Sequence, residues 1–125
     1  MKELIIALSV VNVMFVFMHE FDACYRGEWR MFKFLRKIKE EKQYLIFLYI
    51  HVPLTFFLFY YLWTVIEFNN FTLWVIWNAF LVFHLIIHLI ATKWKSNVFH
   101  NIHSFIFIGG AAISGLISLL LFNFY

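Results

Sequence analysis

The sequence predicts an all-α fold: an integral membrane four-helix bundle with an interfacial amphipathic helix between its first two spans. Three observations predict it. Of 125 residues, 64% are hydrophobic and 14% are charged, whereas soluble domains run near half and a quarter. The apolar residues fall into four stretches, and a span needs about 20 residues to cross roughly 30 Å of hydrocarbon. Nine of the ten Lys and Arg lie in two of the connecting loops, the pattern of a chain oriented by its cytoplasmic charges. At this length one transmembrane domain, 1–125, is expected.

The spans are placed at about 4–22, 44–66, 71–91 and 99–122. Backbone groups in lipid must bond internally, so each is a helix. The first has one Lys, an acid at Glu3 and no small-residue cleavage site, so it is expected to be retained rather than removed as a signal peptide. Pro53 lies within the second span and removes the bond to the Tyr49 carbonyl, which predicts a bend near His51. Asn69 and Asn70 separate the second and third spans. In the fourth, Gly110, Ser114 and Ser118 recur every four residues, as do Ala111 and Gly115. Small residues at that spacing allow close helix approach. The face carrying His103, Phe107, Gly110 and Ser114 is expected to point inward.

Between the first two spans, "EWRMFKFLRKIKEEK" predicts a surface helix over about 28–41. Met31, Phe32, Phe34, Leu35 and Ile38 share one face, with Arg30, Lys33, Lys37 and Glu40 opposite. Glu28 and Arg30 are expected in a solvated turn, with Trp29 as an interfacial anchor. This loop carries Arg26, Arg30, Lys33, Arg36, Lys37, Lys39 and Lys42, and the loop before the fourth span carries Lys93 and Lys95. Only Lys2 stands on the other side. A multi-pass cell-membrane protein with both termini outside follows. The basic residues are therefore a topology signal, and no nucleic-acid partner is implied by the net charge of +3. A single cysteine, Cys24, excludes an internal disulfide.

The polar residues carry the functional signal. His19, Glu20 and Asp22 close the first span on its basic side, where Lys, Arg or Trp would be ordinary. His84 lies seven residues, about 10 Å, from the basic end of the third span, with His88 one turn shallower. His51 is at a similar depth in the second span, and its participation is left open. His100 and His103 open the fourth span. All six histidines thus fall in one half of the bundle. His84 and His88 are four apart, while His100 and His103, like His19 and Asp22, are three apart. These spacings present two side chains from one helix face, as bundle-core metal sites do. The candidate ligands are His19, Glu20, Asp22, His84, His88, His100 and His103. Imidazole with carboxylate suits a divalent metal such as zinc or iron, whereas haem is disfavoured. Asp22 is equally suited to an ion pair with Arg26, four residues on.

The segment His19-Glu20-x-Asp22-Ala23, followed by Glu28-Trp29-Arg30, resembles the signature of a family of small, uncharacterised four-span bacterial membrane proteins. That family is similar to the HXXEE-type membrane proteins, although the paired glutamates of that name are not present here. The resemblance implies architecture and no activity. HxxxH and HxxH also look like fragments of the histidine boxes of membrane oxygenases and desaturases, which use about eight histidines, more than the six here.

The reading that follows is a membrane protein with a buried His/carboxylate metal-type site opening to the cytoplasm. If it is an enzyme, Glu20 is the candidate catalytic base, acting on metal-bound water or a lipid-like substrate. The alternatives are a metal-ion or proton carrier, or a non-enzymatic membrane partner subunit with structural histidines. Metal identity, reaction and oligomeric state are left open.

Overall fold

The computed structural model describes residues 2–122. Four long helices dominate: α1 (Lys2–Arg26), α2 (Glu40–Phe68), α3 (Phe71–Ala91) and α4 (Ile102–Phe122). All four are long and apolar enough to cross a membrane. No strand occurs among the described residues.

The helix limits have local causes. α1 runs past residue 22 because Asp22 and Arg26 pair at 2.8 Å across its last turn. It stops at Gly27, whose φ of 73° is the left-handed conformation glycine accepts without strain. α2 starts at Glu40, with Glu40 and Glu41 in its first turn, where acids favour the helix dipole. Between α2 and α3, Asn69 takes a φ of 49°, and the Asn70 side chain caps α3 by accepting from the Leu73 N–H at 3.1 Å. α4 begins at Ile102 rather than 99. Asn97 folds back to accept from the Phe99 N–H at 3.0 Å, and Asn101 caps α4 through the Ser104 N–H at 3.0 Å.

Residues 28–41 depart from expectation. They form no continuous amphipathic α-helix but two short 3-10 turns, Glu28–Met31 and Lys33–Lys37, separated by an extended Phe32 and followed by an extended Ile38. A 3-10 turn repeats every three residues, which aligns Phe32, Leu35 and Ile38. Trp29, Met31 and Leu35 become buried and pack into one cluster with Phe47, Ala91 and Phe99. Trp29 is therefore no interfacial anchor: its ring lies 5.0 Å from that of Tyr44 and 5.7 Å from that of Phe47. Arg30 is exposed and bonds Glu40.

α1 packs on α2 and α4, and α3 packs on the same two. α1 and α3 therefore face each other along the diagonal of the bundle, running parallel. α4 is the tightest neighbour of both. A Cβ on Gly110 would lie 2.5 Å from the Phe15 ring of α1, and one on Gly115 would lie 3.0 Å from the Asn78 carbonyl of α3. Each glycine thus admits one neighbour. The buried residues described on α4 are Ser104, Ile108, Ala111, Ala112, Ser114, Gly115 and Ser118, so Ser114 is inward as expected. His103 lies one position before Ser104 and is exposed, contrary to the inward placement expected of it.

A large apolar cluster (Val13, Val16, Leu58, Tyr61, Trp74, Trp77 and Leu81 among others) fills the half of the bundle away from the basic loops. A polar string runs along the bundle axis beside it. Tyr61 Oη donates to Ser9 Oγ at 3.1 Å, and Asn12 Nδ2 donates to Asn78 Oδ1 at 2.6 Å.

Candidate metal centre

Three histidines meet on the same axis, seven residues beyond Asn12, which is about 10 Å along α1. His19 projects from α1, and His84 and His88 project from α3. Their stacking follows from the four-residue spacing on one helix. His84 Nε2 lies 3.2 Å from His19 Nε2 and 3.1 Å from His88 Nε2. One ligand atom from each of the three falls within 4.8 Å of the others, close enough to hold a metal ion.

The ring arrangement shows what these distances mean. His19 meets His84 and His88 edge to face, at interplanar angles of 70° and 87°. The planes diverge from a shared point rather than stacking. Two nitrogens bound tetrahedrally to zinc at about 2.0–2.1 Å stand about 3.3–3.4 Å apart, within a few tenths of an ångström of both observed separations. Mutual hydrogen bonding fits less well. A ring nitrogen carries either one proton or one lone pair. His84 Nε2 faces two neighbours and can serve only one of them well. A cation accepts all three lone pairs at once.

Packing, rather than hydrogen bonding, orients the rings. His19 and His88 are buried, and their Nδ1 atoms have no hydrogen-bond partner. Phe99, 2% exposed, stands 5.6 Å from the His19 ring and 4.8 Å from the His88 ring, and Phe80 stands 5.5 Å from His84. Metal-binding histidines usually donate their second nitrogen to a carboxylate or carbonyl. Here aromatic walls take that orienting role.

The remaining candidate residues lie elsewhere. Glu20 follows His19 by one position, about 100° around the helix, and so turns toward α2. Its Oε2 is 2.6 Å from His51 Nε2, and His51 Nδ1 is 2.6 Å from the Phe47 carbonyl. Both His51 nitrogens face oxygen, so one proton lies between Nε2 and Oε2 whichever atom formally carries it. Asp22 bonds Arg26 and also accepts from Ser104 Oγ, which ties the end of α1 to α4. His100 and His103 are exposed. The structure therefore gathers His19, His84 and His88, pairs Glu20 with His51, and leaves Asp22, His100 and His103 outside the cluster.

The Glu20–His51 pair forms the polar wall of a mostly apolar groove of about 370 Å³ between α1 and α2, lined by Phe17, Phe21, Val52, Thr55 and Leu58 among others. Nearby Glu28, read from the sequence as solvated, is partly buried. Burial, reinforced by the Glu20 carboxylate, pushes its pKa up to about 8.

A bundle of four helices, each long and apolar enough to cross a membrane, with a largely buried imidazole triad on its axis is thus the class of protein that fold and site define. Residues 5–124 match a family of unknown function, DUF6713, and the chain belongs to that family. No curated protein and no solved structure matches it.

Proposed function

We propose that this chain is a multi-pass membrane protein that binds a divalent metal, zinc or iron, through His19, His84 and His88. The convergence of three Nε2 atoms at 3.1 and 3.2 Å carries the reading. Three imidazoles leave a tetrahedral ion one open position, the arrangement of catalytic rather than structural zinc sites. A bound ion there supplies Lewis acidity and lowers the pKa of water.

The chain's own residues do the rest. Phe99 and Phe80 fix the rings and keep the site dry. The Glu20–His51 pair holds a transferable proton on the adjacent face of α1, where Glu20 is the candidate acid–base group. The apolar groove beside it suits a lipid-like substrate. Both termini lie outside the cytoplasm in this reading, because the basic loops anchor the opposite end.

The test is elemental analysis of protein purified in detergent without added metal, followed by cobalt substitution. Near-stoichiometric metal and a visible cobalt spectrum with imidazole ligation support the proposal. Absence of both in wild type, with zinc failing to bind on titration, refutes it.

One observation favours a second reading, a cation or proton carrier. The buried polar string continues past the histidines through Asn12–Asn78 to Ser9–Tyr61. Metal- or pH-driven flux in proteoliposomes, lost in Asn78→Leu, would select it.

A further inference from the structure

At the basic end of the bundle a second cavity opens, unconnected with the histidines in its lining. It is a cleft of about 570 Å³ between the 3-10 turn Lys33–Lys37 and the loop joining α3 to α4. Sites for small ligands run about 300–1,000 Å³. Lys33 and Arg36 line it from one side and Lys95 from the other, with Phe34 and Trp94 beside them and buried Met31 behind.

The local fold explains the cationic face. In a 3-10 turn, residues three apart eclipse one another, so Lys33 and Arg36 stand in register over the cleft. Lys37, one position further, does not line it. An α-helix would have spread these charges around its surface. Lys95 then approaches from a segment about sixty residues away. Among the described residues no carboxylate lies within ion-pair distance of any of the three, and the acid–base pairs are Asp22–Arg26, Glu40–Arg30 and Glu20–His51. Three like charges thus line one concavity whose lining holds no carboxylate; Glu40 shares a neighbouring concavity with Arg36 and is paired with Arg30. The complementary occupant is an anion.

The apolar residues say which anion. Phe34 is 71% exposed and Trp94 is 48% exposed. They flank the cations just beyond the ends of helices long enough to span a bilayer. Such aromatics sit at the headgroup level, with cations reading lipid phosphate beside them. A free phosphate would leave the exposed faces of Phe34 and Trp94 uncovered, whereas a lipid places phosphate among the cations and its glycerol and upper acyl carbons against those faces. We propose that this cleft is a binding site for the headgroup of an anionic phospholipid. The inference rests on the membrane reading above and is independent of the metal.

The experiment uses the full chain. Retention in alkaline-washed phosphatidylcholine membranes tests spanning alone, and release of the chain there overturns both readings. Native mass spectrometry of the detergent-solubilised chain, titrated with phosphatidylglycerol or phosphatidylcholine, tests the cleft. The expected result is preferential retention of one phosphatidylglycerol. Each cation near a lipid surface contributes about fivefold, so Lys33→Gln/Arg36→Gln/Lys95→Gln should lose on the order of a hundredfold in affinity. Lys37→Gln/Lys39→Gln/Lys42→Gln removes equal charge outside the cleft and should keep the preference. Lys95→Gln alone should lose about fivefold, and serves if the triple variant does not fold. Equal losses in the two triple variants, or an unchanged Lys95→Gln, would show diffuse charge attraction and overturn the site. So would absence of any phosphatidylglycerol preference, or full displacement of the lipid by inorganic phosphate.

Discussion

His84→Ala should abolish tight metal binding while leaving the bundle folded. His84 Nε2 is the shared vertex of the cluster, 3.2 Å from one imidazole and 3.1 Å from the other. Four-ligand structural zinc sites are worth about 10–16 kcal/mol, so one ligand carries roughly 3 kcal/mol. Losing it should weaken binding at least a hundredfold. If the three histidines merely hydrogen-bond one another, the same substitution costs only about 1 kcal/mol per bond and leaves metal affinity where it was. The assay is zinc titration of purified protein against a chromophoric chelator, with thermal unfolding measured with and without zinc. Wild type should gain stability with zinc through linkage, and His84→Ala should not. His103→Ala is the control, because that side chain is exposed, and it should stay within about twofold of wild type. Equal affinities for His84→Ala and His103→Ala would refute the reasoning.

Glu20→Gln should leave zinc affinity within about twofold, because Glu20 bonds His51 and not the triad; a hundredfold loss in the same titration would make Glu20 a ligand. Gly115→Ala should destabilise the bundle by about 1–2 kcal/mol: its Cβ meets the Asn78 carbonyl at 3.0 Å, and the overpacking outweighs the helix propensity gained. Gly109→Ala, with nothing within 4 Å of its Cβ, should stabilise by up to about 1 kcal/mol, and unfolding of the two variants side by side checks both. Glu28 titrates near 4.5 when unfolded and at about 8 when folded. Between those values the folded chain holds a proton the unfolded chain has released, so Glu28 lowers stability as pH rises through that window. Melting temperatures of wild type and Glu28→Gln should therefore diverge from about pH 5 to about pH 8, in favour of the variant, and parallel curves would count against the burial of this carboxyl.

The four helices are legible because long apolar runs have few alternative structures. The segment before α2 is not, because Met31, Phe34, Leu35 and Ile38 fit a period of 3.6 nearly as well as a period of three over so short a run. Burial of Trp29 and Met31 against Phe47 decides between them, and that is a tertiary contact. The histidine pair of α3 stands out through its four-residue spacing, and His19 through the stripe it shares with Ser9 and Asn12. The pairing of His51 with Glu20 depends on how α2 is rotated about its own axis. α2 is apolar on every side, so periodicity carries no rotational information for it. Phe99 gave no signal either. Its place on the His19 and His88 rings follows from the Asn97 turn that delays the start of α4. On α4 itself, inward orientation passes to Ser104, whose hydroxyl reaches Asp22, and His103 beside it faces out.

The diagonal placement of α1 and α3 has a consequence for biogenesis. His19 is made 65 residues before His84, and the two helices that carry them touch mainly through side chains on the axis. In the folded chain it is α2 and α4 that hold the two in register. A metal captured there would act as a late-closing clasp across the bundle. Metal content would then count finished molecules: chains truncated before α4 should insert without retaining the ion, and starving cells of metal should slow the last step of assembly rather than the first.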